Sequence, residues 1–308
     1  MPVKNRFAEM LPEITAWRRE FHENPELLYE VHRTAGRVAE LLRERIHVDF
    51  VAGISAGSSN AVNYLSRDPA RARRSFVDFA DDPRFGNWLS FVRGKGLFNA
   101  EYIYEHAGLP EADLPYDFAT FRANPARLVL GGFDAASGET RWWDRSDMTT
   151  LTDLMVRVRA SSTMPVLMPP VHAEGTVFVD GALGVDGGIP LTAAEDAGFE
   201  KVLVVLTRER GYVKRPERFP SFYQRTFRRY PAVADALLTR WRRYNATRER
   251  LFEMERQGRA YLFVPETMPI ANGERSVAKL AAAHELGLDQ VRREMPAIRA
   301  FLGLPASR

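Results

Sequence analysis

His47-Val48-Asp49-Phe50-Val51-Ala52-Gly53-Ile54-Ser55-Ala56-Gly57 is the stretch on which the reading of this chain turns. An apolar run, expected as a strand over Ile46–Ala52, leads into a G-x-S-x-G pattern. Ser58-Ser59-Asn60-Ala61 then opens a segment compatible with a helix. The pattern alone is common; a strand before it and a helix after it make it a nucleophile elbow. A sharp strand-to-helix turn would hold Ser55 exposed in a strained conformation. Gly53 and Gly57, two residues away on either side, would leave room for neighbouring backbone. The helix N-terminus would aim amide N–H groups at the reacting oxygen, so the Ala56 amide is the candidate oxyanion donor. An ordinary serine in a glycine-flanked turn is the competing reading.

A serine nucleophile needs a base. The six histidines are His22, His32, His47, His106, His172 and His284. None has a setting that marks a triad member. His284 satisfies the order Ser…Asp…His but sits in the helical pattern Ala281-Ala282-Ala283-His284-Glu285-Leu286. An aspartate is the better candidate. The strand Thr176–Val179 runs into Asp180-Gly181-Ala182, and a carboxylate at a strand's C-terminal end, in a glycine-rich turn, lies where α/β proteins place their sites. Asp186, before Gly187-Gly188, competes for the role; Asp180 directly ends the strand and is preferred. A turn aspartate bonded to its own backbone is the structural alternative.

Outward from these two boxes, helical periodicity covers residues 5–22 and about Thr34 to Glu44. Residues 66–125 read only coarsely, as short helices and loops. Arg127–Phe133 and Thr140–Trp143 read as paired strands around Ala135-Ala136-Ser137-Gly138. Helices are expected at Leu151–Ala160, Pro190–Ala197, Ala232–Arg256, Ser276–Glu285 and Asp289–Phe301. Lys201–Thr207 (KVLVVLT) is expected as a buried strand and Ala260–Val264 as a further one. Alternation of strands and helices predicts an α/β fold, three layers α/β/α with a mostly parallel sheet. At 308 residues with 45% hydrophobic content, the chain fits one large domain, or one domain plus an attached segment. It has no cysteine, which excludes disulfides, thiolate nucleophiles and cysteine-ligated metals. No run of apolar residues is long enough for a transmembrane helix. The first 30 residues carry no apolar run of the secretory type, so a cytoplasmic location is expected, with a peripheral membrane association.

Net charge is +3, but residues 208–250 hold 13 Lys/Arg against 4 Asp/Glu. Such a block reads either as a solvated Arg-rich helical face or as a surface for anionic lipid head groups or nucleic acid. Membrane contact through residues 208–250 is the partner expectation carried forward; a nucleic-acid partner is not expected. Gly94-Lys95-Gly96 is too short for a phosphate loop, and His284-Glu285-Leu286-Gly287-Leu288 lacks the second histidine of a zinc-protease helix. No metal and no cofactor is expected.

Three stretches together resemble the bacterial patatin-like phospholipase family: the elbow at 47–57, the box Phe178-Val179-Asp180-Gly181-Ala182 with Gly188-Ile189-Pro190, and Val202–Arg208 followed by Gly211-Tyr212. The resemblance covers about residues 34–305. It implies a Ser–Asp dyad hydrolase without a catalytic histidine, acting on phospholipids, lysophospholipids or other acyl esters. Ser55 would be the nucleophile, Asp180 the general base to Ser55 and then to water, and Gly53, Gly57, Gly181 and Ala182 the motif positions.

The start departs from that family, which opens with a strand and a glycine-rich oxyanion loop. This chain has one glycine, Gly36, before Gly53. Trp17-Arg18-Arg19-Glu20-Phe21-His22-Glu23-Asn24-Pro25-Glu26-Leu27-Leu28, with Glu30 and His32-Arg33-Thr34-Ala35, instead resembles the opening of a zinc-dependent amidohydrolase of the hippurate-hydrolase type, over about residues 1–43. The division expected is a helical segment at 1–33 foreign to the main family, packing loosely, and a hydrolase domain at 34–308. On this reading the oxyanion hole keeps only the Ala56 amide and the enzyme is weak. The rivals are an α/β-hydrolase with a Ser-His-Asp triad, a zinc amidohydrolase, and a non-enzymatic basic membrane-binding protein.

Overall fold

The computed structural model describes residues 48–304, apart from 83, 85–98, 107, 110, 272 and 273, all within one compact unit, Val48–Arg308. The strands are β1 Phe50–Ile54, β2 Arg127–Asp134, β3 Thr140–Trp143, β4 Val171–Ala173, β5 Thr176–Asp180, β6 Val202–Val205 and β7 Ala260–Phe263. The α-helices are α1 Ala56–Leu65, α2 Pro69–Phe76, α3 Phe118–Ala123, α4 Leu151–Ser162, α5 Leu191–Asp196, α6 Pro220–Thr226, α7 Pro231–Arg256 and α8 Val277–Phe301. The expected segments at 5–22 and 34–44, and the loose packing of 1–33, lie outside the described residues.

Local sequence sets several of these boundaries. A capping box starts α4: Asp153 N–H donates to Thr150 Oγ1 at 3.1 Å, and Thr150 N–H to Asp153 Oδ2 at 2.9 Å. Asp68 caps α2 through Arg71 N–H, with Pro69 at the first helical position. Strand β1 runs two residues further than the sequence predicts, because Gly53 and Ile54 still pair with Leu130 and Gly131 of β2. Its chain therefore bends only at Ser55.

The sheet is organised by β2. Its residues 127–131 pair in parallel with β1, and residues 132–134 pair antiparallel with β5. Gly131 pairs with both Ile54 and Trp142, and Gly132 with both Asp180 and Arg141. Since β3 takes one edge of β2, β1 and β5 must share the other, and their C-terminal ends meet head to head. Among the described residues the main sheet is mixed rather than mostly parallel as expected: β1–β2 is parallel, while β2–β3, β2–β5 and β4–β5 are antiparallel. The cause is local. Glu174 and Gly175 adopt φ of 53° and 76°, a two-residue reversal of the type that joins antiparallel neighbours. It feeds β5 into the sheet from β4, a strand three residues long that leaves too little periodicity to read.

Helices cover both faces. On one, Val62 and Leu65 of α1 and Leu154 and Val158 of α4 pack on Leu128, Leu130 and Phe178. On the other, Val233 and Ala236 of α7 pack on Phe133, Val177 and Val179. Alternation along β5 thus sends neighbouring side chains into two different cores. A second, two-stranded parallel sheet joins β6 to β7. Its core takes Tyr244, Leu251 and Met254 from α7. The expected buried strand at 201–207 is buried on one face only: Val202 and Val204 face that core, while Leu203 and Val205 are 40% and 64% exposed. The two expected C-terminal helices are one, since Gly287 lies in open space inside α8 and does not interrupt it.

Candidate functional site

Strand register brings the two boxes together. Ser55 follows Ile54, opposite Gly131; Asp180 sits opposite the next residue, Gly132. Ser55 Oγ donates to Asp180 Oδ2 at 2.7 Å. The other oxygen, Asp180 Oδ1, accepts Ala182 N–H at 2.9 Å, and Asp180 N–H donates to the Thr163 carbonyl at 2.8 Å. Both ends of the carboxylate are thereby fixed.

Ser55 has φ 57° and ψ −126°, a left-handed φ that L-residues avoid. The elbow is held there by α4, whose C-terminal serines were not read from the sequence. Ser55 N–H donates to Ser161 Oγ at 3.0 Å, and Ser161 Oγ donates on to the Gly131 carbonyl at 2.6 Å. The Ser55 carbonyl accepts Ser58 Oγ at 2.6 Å and Ser162 Oγ at 3.1 Å. Ser161-Ser162-Thr163 ends a helix, where small polar residues are ordinary, so nothing in the sequence marks these three as supports of a remote turn. The elbow's amide at Ala56 opens α1, with Ala56 and Gly57 both exposed.

Burial raises the Asp180 carboxyl above the usual carboxylate range, opposed by its bonds from Ala182 and Ser55 and by the charge of Arg240. Arg240, on α7, donates from Nε to the Gly187 carbonyl at 2.9 Å. A Cβ on Gly188 would stand 3.2 Å from Arg240 Nη2 and 3.1 Å from the Ala182 Cβ. The guanidinium therefore lies close along the loop that follows Asp180. Tyr104 also belongs here: its phenol is pushed up chiefly by burial, and Ser162, Ser59 and Asp180 are its neighbours.

The competing aspartate is engaged elsewhere. Asp186 accepts Thr192 N–H and Thr192 Oγ1, each at 2.8 Å, at the start of α5. Among the described residues no histidine bonds to Ser55. His106 lies 3.6 Å from Glu101 and His284 3.4 Å from Glu285, and His172 is exposed on β4; His22, His32 and His47 are outside the described residues. No group of three His, Asp or Glu residues that could hold a metal occurs among the described residues. The upstream oxyanion donors, and their expected loss, also fall outside them.

The glycines divide in an informative way. A Cβ on Gly53 would stand 2.5 Å from the Gly57 carbonyl oxygen, and one on Gly181 would stand 2.1 Å from the Gly131 carbonyl oxygen. Both contacts are with backbone that cannot yield. A Cβ on Gly57 meets nothing within 4 Å, so its own side of the elbow is open and only its backbone is crowded. Gly53→Ala and Gly181→Ala are expected to destabilise the fold by about 2–4 kcal/mol. Gly57→Ala should change stability by less than about 1 kcal/mol. Urea denaturation of the three variants measures the difference.

A family model described as patatin-like phospholipase matches residues 34–194. A second, described as a domain of unknown function, DUF6363, matches residues 230–303. Uncharacterized protein YjjU of Escherichia coli (strain K12) is 27% identical over 179 residues, covering 56% of this chain and 48% of that protein. The chain thus spans about half the length of that relative. The patatin-like match ends well before residue 305, where the sequence resemblance was expected to reach. An amidohydrolase start fused near residue 34 is not shown by these comparisons.

Proposed function

The chain belongs to the patatin-like phospholipase family, and from that premise we propose that it is a serine acyl hydrolase of lipid esters working through Ser55 and Asp180. The observation that carries the reading is the 2.7 Å hydrogen bond from the Ser55 hydroxyl to a buried carboxylate, at an elbow of positive φ. Ser55 Oγ attacks the ester carbonyl carbon while Asp180 takes its proton. The negative charge that develops on the carbonyl oxygen faces the N-terminus of α1 and the Ala56 amide. Collapse expels the alcohol, which leaves with the proton from Asp180, and the acyl group stays on Ser55. Asp180 then draws a proton from water as its oxygen attacks the acyl carbon; collapse breaks the bond to Ser55 Oγ, which takes that proton back from Asp180, and the carboxylic acid leaves.

A fluorophosphonate should inactivate the protein and leave its adduct mass on Ser55, with no adduct in Ser55→Ala. Labelling at another residue, or none, would overturn the assignment. The same reading fixes a pH dependence. Asp180 must be ionised to act as base, and burial raises its pKa. The acid limb of kcat/KM on an uncharged short-chain ester is therefore expected to have its midpoint above the ordinary aspartate value of about 3.9, with activity rising as pH rises through it. A midpoint at or below that value would remove Asp180 from the base role.

A further inference from the structure

The Arg-rich block separates into two sets once its partners are known. One set ties the molecule together. Arg243 donates to the Leu183 and Gly184 carbonyls, and Arg248, buried, donates to the Glu209 and Arg210 carbonyls. Arg210 pairs with Glu255 and Arg250 with Glu195. The other set, Arg215, Arg218, Arg225, Arg228 and Arg229, is exposed. Between residues 213 and 229 stand six Lys/Arg and one acid, Glu217. That acid accepts the Tyr223 hydroxyl at 3.1 Å.

Apolar side chains are exposed in the same place. Val213, Phe219 and Phe222 are 67%, 71% and 51% exposed. Val213, Lys214, Arg215, Phe219 and Tyr223 all line one groove of about 840 Å³, and Phe222 packs edge-on against Tyr223. A soluble surface has little use for large apolar groups exposed together. Ringed by arginines, they have the composition of an interfacial anchor, with rings for the acyl boundary and cations for the head groups. The groove does not include Ser55 or Asp180. It is tied to their loop through α7, since Asn245 bonds both ways to the Lys214 backbone, and Arg240 lies against Gly187–Gly188. Lys214 is half-buried, with its amine pulled down by burial and by Arg240.

We infer that the face built by Val213–Arg229 docks the protein on an anionic bilayer surface. The occupant is a membrane rather than a nucleic acid because aliphatic Val213 is exposed in the same patch as the rings and cations: rings can stack on bases, but an aliphatic side chain has no such partner there, whereas a lipid phase rewards its insertion. The inference goes beyond the hydrolase reading and depends on it only for its purpose, which is to hold Ser55 near lipid esters.

The test is co-sedimentation of the full chain with vesicles of phosphatidylcholine alone, or with about one-third phosphatidylglycerol. Ser55→Ala is run in parallel, so that docking is measured without turnover. The protein should bind the anionic vesicles and not the zwitterionic ones, Ser55→Ala equally so. Arg215→Gln with Arg218→Gln should weaken partitioning by about fivefold per charge removed. Phe219→Ser with Phe222→Ser should weaken it by about tenfold or more. All four positions are exposed, and unchanged melting temperatures identify folded variants. Absence of binding by the unmodified chain, equal binding to neutral vesicles, binding undiminished in both double variants, or capture by an oligonucleotide without vesicle binding would each overturn the inference. Docking by the unmodified chain with no hydrolysis of the vesicle lipid or of a short-chain ester would instead fault the dyad.

Discussion

Ser55→Ala is expected to abolish ester hydrolysis, Asp180→Asn to lose nearly as much, and the double variant to lose no more than Ser55→Ala alone. On the proposed mechanism the two side chains act as one device: the 2.7 Å bond from Ser55 Oγ to Asp180 is the path by which the proton would leave the nucleophile. Groups that act as a unit give non-additive losses, commonly about 10⁴–10⁶ in kcat for a nucleophile–base pair. Removal of Asp180 leaves a hydroxyl at its ordinary, very high pKa. The loss should appear in kcat with little change in KM, since the proton transfer belongs to the transition state. Comparison of kcat/KM for the three variants on a short-chain ester decides it. An Asp180→Asn enzyme within about tenfold of the unmodified chain would mean that another base serves Ser55.

The two boxes of the candidate site were legible because their signals are local. The G-x-S-x-G elbow declares itself through glycines, whose need is visible at Gly53, where any side chain would strike the Gly57 carbonyl. Asp180 declares itself by ending an apolar strand before Gly181, which lies under the Gly131 carbonyl. The sequence left unread the way the two meet. A strand's direction depends on its partner, and the partner of β5 is β2, some forty-five residues upstream. The expectation of a parallel sheet put Ser55 and Asp180 side by side at one sheet edge. In the molecule they face each other end to end along one edge of β2.

The serines of α4 were invisible for the same reason. Ser161 and Ser162 act on an elbow more than a hundred residues away, and polar residues at a helix end need no such explanation. The basic block was visible as a charge count but not as two populations. Only the carbonyl partners of Arg243 and Arg248 distinguish arginines that stitch loops together from those left on the surface. The one-sided exposure of β6 likewise could not be read from KVLVVLT, since an unbroken run of five apolar residues carries no alternation to say whether one face or both are covered.

Asp180→Asn is also expected to make the protein more stable, by an amount that depends on pH. Asparagine keeps the geometry: its Oδ1 can accept Ala182 N–H, and its Nδ2 can donate to Ser55 Oγ. What it removes is a carboxylate buried at 6% exposure, a charge whose desolvation its hydrogen bonds only partly offset. The sign follows from the raised pKa. Below about pH 3.9, the unfolded aspartate value, Asp180 is neutral in both states and costs nothing. As pH rises through the window between that value and the raised folded one, the unfolded chain ionises freely and the folded chain does not, so stability falls. Above the folded value the penalty is complete. The gain from Asp180→Asn should therefore be near zero in acid, grow across that window, and level off above it. For a domain of this size each kcal/mol gained raises Tm by about 2–4 °C. Thermal melts of both proteins at a series of pH values measure it, and a gain that is constant with pH, or a loss at neutral pH, would mean that the Asp180 carboxylate is not the strained, desolvated base inferred from its burial.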